Sequence, residues 1–246
     1  MATAHAPSHI PELLAPAGQL ESAYAALAYG ADAVYVGLSR FSARAEAVNL
    51  APDELGELVV YAHSLSPPRR VYVALNTLVC DDEWPEALAT MLQCADLGVD
   101  ALIVQDLGIV RLARRYVPGV KLHASTQMAL HNRAGVEAAR MLGLQRVTLA
   151  REATLDEIKD AVRSGLEVEI FVHGALCYSY SGLCLYSSLL LGRSGNRGRC
   201  AYLCRDRFRR CGPSPHPLET FTDSGFCFSM MLWMIKRQVA QTTAIQ

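Results

Sequence analysis

Ala28-Tyr-Gly-Ala-Asp32 decides the reading of this chain, because the same pattern returns as Asp96-Leu-Gly-Val-Asp100, Met141-Leu-Gly-Leu144 and Arg163-Ser-Gly-Leu166. Each time, a stretch of helical character ends on a glycine and a short apolar run begins within a few residues. A helix that closes on a left-handed residue takes Gly after its last turn, and so short a connection returns the chain to a sheet. Working outward, strand-like runs fall at Glu12–Ala15, Ala33–Leu38, Arg70–Leu75, Ala101–Gln105, Lys121–Ala124, Arg146–Ala150 and Glu167–Val172. Between them, stretches such as Leu20–Tyr29, Asp53–Leu65, Glu83–Leu97 and Thr154–Arg163 carry apolar residues at helical spacing. Strands alternating with helices predict successive βαβ units on a mostly parallel sheet. No G-x-G-x-x-G follows the first run, where Ala15-Pro-Ala-Gly18 stands instead, so a TIM-like (β/α) barrel is favoured over a dinucleotide-binding sheet.

The composition agrees. In 246 residues, 51% are hydrophobic and 19% charged, which suffices for a packed core and excludes a disordered or collagen-like chain. Only 7% are aromatic, which suits helices on a buried parallel sheet better than a sandwich of aromatic pairs. With 23 Lys and Arg against 24 Asp and Glu, no global charge draws the protein to nucleic acid or to an anionic membrane. The most apolar stretches, Leu183–Leu191 and Phe226–Ile235, fall short of the roughly 18–20 residues that span a bilayer. Met1–Ser8 has no cationic region followed by an apolar one, so a cytoplasmic protein without a membrane partner is expected. In that reducing setting the 8 cysteines are not a disulfide framework; clustered thiols there bind metal or act in catalysis.

Polar residues collect where strands should end: Asn76, Gln105, Asp106, Ser125–Gln127, Arg151, Glu152 and His173. Singly, each reads equally well as a helix cap or a loop residue; together they favour a polar pocket at the carboxyl face of the sheet. Gln127, Glu152 and His173, with Glu169 in the last strand-like run, are the candidate catalytic residues. Six cysteines fall between Cys177 and Cys227. Cys177 and Cys184 lie in the loop after that last run, and Cys200 and Cys204 follow, giving four soft ligands suited to zinc or an iron–sulfur cluster. Neither C-x6-C nor C-x3-C settles which. Buried cysteine acting as a small hydrophobe is the competing reading, and it is preferred for Cys80 and Cys94. Seven arginines lie between Arg193 and Arg210 with Asp206 as the sole acid, and Tyr202 and Phe208 are interleaved. Arg193, Arg197, Arg199 and Arg205 are the candidate contacts to RNA phosphates, with a solvated loop as the competing reading. H-E-x-x-H, G-x-S-x-G and P-loop motifs are absent. A Cys177/His173 nucleophile pair requires a turn that the sequence does not specify, and His123 and His131 read as a barrel-lining and a helix-start residue.

Several segments resemble the family catalogued as peptidase U32, also called collagenase-like. They are Glu12-Leu-Leu-Ala-Pro-Ala-Gly18, Tyr29-Gly-Ala-Asp-Ala-Val-Tyr35, Phe41-Ser-Ala-Arg44, Ala124-Ser-Thr-Gln127, Ala150-Arg-Glu152, the stretch from Glu169 to Ser187, and Gly192-Arg-Ser-Gly-Asn-Arg-Gly-Arg-Cys200. The resemblance runs from about residue 10 to 207. It implies a TIM-like barrel and, as in relatives, hydroxylation of a base in tRNA or rRNA, or of quinone precursors, rather than proteolysis. It also implies a four-cysteine cluster, 4Fe-4S favoured and zinc as the alternative, on Cys177, Cys184, Cys200 and a fourth ligand. Cys204 is the nearest fourth thiol; Cys211 and Cys227 are the alternatives. A collagenase-like peptidase and a non-enzymatic RNA-binding or assembly subunit remain as other readings, and a protein partner subunit is expected alongside RNA.

After Arg207 the pattern departs. Family members continue through a Leu-Ser-x-x-Asp-Leu segment and a closing strand resembling Lys-Ile-Glu-Gly-Arg, whereas here Cys211-Gly-Pro-Ser-Pro-His-Pro217 leads into an apolar, Met-rich tail. The chain is therefore read as barrel units over 10–176, a Cys/Arg-rich loop over 177–210 and a divergent tail over 211–246. A truncated or frame-shifted product, incomplete at its end and with open sheet edges, is the expectation.

Overall fold

The computed structural model describes residues 11–45, 48–174 and 177–206. The predicted tail and the alternative ligands Cys211 and Cys227 lie outside the described residues. The chain divides into two compact units, one ending at Leu122 and one beginning at His123.

The first unit runs β1 (Leu14–Ala17), α1 (Leu20–Ala28), β2 (Ala33–Gly37), α2 (Pro52–Ser64), β3 (Arg70–Leu75), α3 (Trp84–Asp96), β4 (Ala101–Val104) and α4 (Leu107–Tyr116). Each strand pairs in parallel with the one before it: Leu14 lies opposite Ala33, Val34 opposite Val71, and Tyr72 opposite Ala101. Burial covers β4 entirely and β3 from Val71 to Leu75, as expected of a parallel sheet covered on both faces. On one face Ala33, Tyr72, Ala101 and Ile103 form an apolar cluster against Leu14 and Tyr35. The predicted first strand is displaced by two residues. Glu12 stays outside the ladder, where it pairs with Arg70 and accepts the Tyr72 hydroxyl proton at 2.9 Å.

The second unit takes in the latter half of β5 (Lys121–Ala124), then α5 (Arg133–Met141), β6 (Arg146–Thr148), α6 (Leu155–Val162), β7 (Glu167–Glu169) and α7 (Tyr186–Leu191). These strands also pair in parallel and in chain order, His123 opposite Arg146 and Thr148 opposite Glu169. Parallel strands in sequence order, each crossover carrying a helix, make this a TIM-like (β/α) fold. The four glycine returns are as predicted: Gly30, Gly98, Gly143 and Gly165 have φ of +105°, +77°, +81° and +78°, a conformation that costs an L side chain about 1–2 kcal/mol. Helix starts are built from side chains. Asp106 accepts the Gly108 and Ile109 amides at 2.6 and 3.4 Å, Asn132 the Gly135 amide at 2.9 Å, and Thr154 and Glu157 cap each other reciprocally.

β7 is shorter than the run Glu167–Val172 predicts. Its partner β6 ends at Thr148, so the ladder stops at Glu169 and leaves Ile170, Phe171 and Val172 exposed. Cys80 is also exposed, contrary to the buried role expected of it, because its amide donates to Glu83 Oε2 at 2.8 Å in a surface capping turn. Cys94 is buried in α3 as expected, and burial pushes its thiol up to about 12. No helix among the described residues is long and apolar enough to cross a membrane.

Candidate functional site

The second unit carries polar side chains on one strand face, since Arg146 and Thr148 in β6 share register with Glu167 and Glu169 in β7. Arg146 is buried. Its Nε and Nη2 donate to Glu167 Oε2 at 2.9 and 2.8 Å, and its Nη1 stands 3.6 Å from Glu169 Oε2. Thr148 Oγ1 donates to Glu169 Oε1 at 3.1 Å. Glu169 is thus fixed from two sides by β6.

At the carboxyl end of β6 the chain turns through Arg151 and Glu152, and these two hold the thiol loop. Glu152 Oε1 accepts the Ser181 amide and hydroxyl at 3.2 and 3.4 Å, while Ser181 Oγ accepts the Arg151 amide at 3.4 Å. Glu152 Oε2 faces His131 Nε2 at 3.6 Å. The Ala129 carbonyl lies 2.7 Å from His131 Nδ1 and can only accept, so Nδ1 is the donor and Nε2 is the atom left for Glu152. His131, read from the sequence as a helix-start residue, lies just ahead of the α5 cap Asn132 and belongs to this corner; nothing in the sequence spacing pairs it with Glu152. Gln127 meets the loop through its backbone. Gly182 has φ of +75°, and a Cβ there would lie 2.8 Å from the Gln127 carbonyl carbon and 3.1 Å from its Cα.

Of the four predicted thiols, Cys177 meets this corner directly, and Cys177 and Cys200 lie close enough to act electrostatically on Cys204. Cys177 is exposed and its sulfur accepts from Arg151 Nη1 at 3.4 Å. Burial raises the Cys204 thiol above its ordinary value, the charges of Cys177 and Cys200 add to that, and the Tyr178 amide and Arg205 oppose it. Cys200 is reached by the Ser187 hydroxyl at 3.9 Å, and that same oxygen accepts the Ala201 amide at 3.1 Å, tying α7 to the second thiol segment. Cys184 is half-buried. Among the described residues no three His, Cys, Asp or Glu side chains are arranged to hold a metal ion. The four cysteine sulfurs are soft donors of the kind that zinc or an iron–sulfur cluster takes.

The other predicted residues divide. His173 is exposed on the segment after β7 and makes no hydrogen bond to Cys177, whose sulfur faces Arg151 instead. Arg199 and Arg205 are exposed, the latter with its guanidinium 5.1 Å from the Tyr202 ring centroid; Arg193 and Arg197 are half-buried. In the first unit, Asp106 is a helix cap that also accepts the Val79 amide at 3.2 Å, and Asn76 Oδ1 accepts the Ala43 amide at 2.8 Å, so each ties its own loop to the preceding one.

A parallel (β/α) frame, strands in chain order with a helix in each crossover, defines a TIM-like α/β protein. The chain belongs to peptidase family U32, whose profile it matches over residues 18–240. It is 43% identical over 203 residues to the 23S rRNA 5-hydroxycytidine C2501 synthase of Escherichia coli, covering 80% of this chain and 30% of that one. It is 36% identical to tRNA hydroxylation protein P1 of Bacillus subtilis, over 89% of this chain and 52% of the other. With a collagenase of Porphyromonas gingivalis the identity is 30%, over 79% and 49%. The chain therefore spans half or less of the length of most of these relatives. A solved U32 peptidase structure shares the fold with a TM-score of 0.54 at 16% identity, covering 69% of this chain and 71% of that one.

Proposed function

We propose that this chain carries the base-hydroxylating part of an RNA-modifying enzyme acting on tRNA or rRNA in the cytoplasm. The observation that carries this reading is the Cys177 sulfur held by Arg151 on a loop that Glu152 anchors through Ser181, at the carboxyl end of β6. Its relatives' names, rRNA 5-hydroxycytidine synthase and tRNA hydroxylation protein, support the reaction class. Cys177, Cys184, Cys200 and Cys204 are assigned as ligands of an iron–sulfur cluster, 4Fe-4S, with zinc as the alternative. Such a group supplies one-electron chemistry when bound. Around it, Glu152, Gln127 and Glu169 hold and orient the base, His173 sits on the exposed segment leading to the loop, and Arg193, Arg197, Arg199 and Arg205 take phosphates. A protein partner subunit works alongside it.

Anaerobic purification tests the assignment: brown protein with about four iron and four sulfide per chain, bleached in Cys177→Ala and Cys184→Ala, is expected. Loss of a hydroxylated nucleoside from cells lacking the gene, read by nucleoside mass spectrometry, tests the reaction. Colourless zinc-loaded protein refutes the cluster, and an unchanged nucleoside profile refutes the reaction. The collagenase relative favours a peptidase as the second reading. Peptide hydrolysis that is abolished by Cys177→Ala and indifferent to iron chelation would replace the first reading with that one.

A further inference from the structure

Two aromatic rings stand in solvent at the corner that holds the thiol loop. Phe171, directly after β7, is 41% exposed, and Tyr180, just before Ser181, is 64% exposed. Neither is idle surface. The Arg151 guanidinium lies 4.8 Å from the Phe171 ring centroid while its Nη1 reaches the Cys177 sulfur. Tyr180 meets His131 edge-on at 6.0 Å, and His131 faces Glu152. Both rings are therefore connected, through one intermediate residue, to the groups assigned above to the base and the thiols. Their exposed faces are open to a flat ligand.

Resting on the function proposed above, we propose that Phe171 with Arg151, together with Tyr180, forms a stacking seat for an unpaired nucleobase, so that the substrate is presented as single-stranded or looped RNA. Aromatic rings and guanidinium planes are the surfaces on which unstacked bases settle, whereas a base inside an A-form helix offers its face to neither. Arg151 serves twice. It extends the Phe171 surface and keeps positive charge at the Cys177 sulfur, which places the seated base beside the thiols.

Binding of the full chain to a labelled single-stranded RNA 12-mer, and to a hairpin that pairs the same bases, tests this by fluorescence anisotropy over a range of KCl. Tyr180→Ala and Phe171→Ala are each expected to weaken binding of the single strand by about 5- to 100-fold without altering the salt slope. Tyr180→Trp should restore it, and the hairpin should bind more weakly than the single strand. Arg199→Ala, by contrast, should reduce the salt slope by roughly 0.7, the loss of one phosphate contact. Unchanged melting temperatures establish that the variants fold. Aromatic variants that bind the single strand like the parent overturn the seat while leaving RNA modification standing. A parent that binds neither RNA overturns both. Competition by a gelatin peptide, lost in the same variants, assigns the rings to a peptide and overturns the proposal.

Discussion

Replacing Gly182 with Ala puts the docking of the thiol loop to a quantitative test. Gly182 and Gly165 share nearly the same backbone, φ of +75° and +78°, but a Cβ at Gly165 meets nothing within 4 Å, whereas at Gly182 it would be driven into the Gln127 backbone. Gly165→Ala thus measures the left-handed strain alone, about 1–2 kcal/mol, offset by about 0.4–1 kcal/mol from a stiffer unfolded chain. Gly182→Ala adds an overlap with backbone, which cannot rotate away as a side chain does. Overpacking of that kind costs about 1–3 kcal/mol. The difference between the two variants, about 1–3 kcal/mol, is the signature of the loop resting on the Thr126–Met128 turn. Urea denaturation measures the global part. Hydrogen exchange at the Ser181 amide, which is bonded to Glu152, measures local opening, and it should speed up about 10-fold or more in Gly182→Ala only. Equal stabilities within about 0.5 kcal/mol, with equal exchange at Ser181, would show that the loop does not pack there.

Cys94 gives a pH dependence. Its thiol is held neutral to about 12, while the unfolded chain releases that proton near 9.0. The stabilisation is therefore complete below pH 9 and drains away as pH rises towards 12, at up to about 1.4 kcal/mol per pH unit; urea midpoints at pH 8 and pH 10 should fall further for the parent than for Cys94→Ala. Arg146→Met removes the guanidinium beside Glu169, whose side chain is 18% exposed. About 1–3 kcal/mol is expected from denaturant unfolding, less than for a fully buried pair because Glu167 is open to water, and Arg146→Lys should recover only part, since a point charge cannot serve both carboxylates. Asp106→Ala removes the cap of α4 and the acceptor for Val79; thermal or chemical unfolding should register a loss of about 1–2 kcal/mol.

The repeating helix–glycine–strand punctuation made the architecture legible, because a left-handed residue after a helix is a local requirement that leaves a mark at a fixed place. Carboxyl-end residues such as Arg151 and Glu152 were legible as a set for the same reason, their place being given by the strand before them. His131 was not. Its meeting with Glu152 joins the loop ahead of α5 to the turn after β6, and no periodicity relates those positions. The lock of Arg146 on Glu169 was equally hidden, since a charged residue inside a three-residue strand reads as surface until its neighbour's register is known. Cys80 was misplaced because a short strand end and a capping turn look alike in one dimension. The early stop of β7 depended on where β6 ends, which the apolar run Ile170–Val172 conceals.

Strands β1 to β4 pair in the order in which they are translated. As each emerges, its mate has already been made, so no segment waits for a distant complement and each ring closed is only one helical crossover long. Synthesis can thus deposit the first unit increment by increment, from the amino terminus onward. Genetic insertions at the crossovers would lengthen one such increment without disturbing the pairings laid down before it.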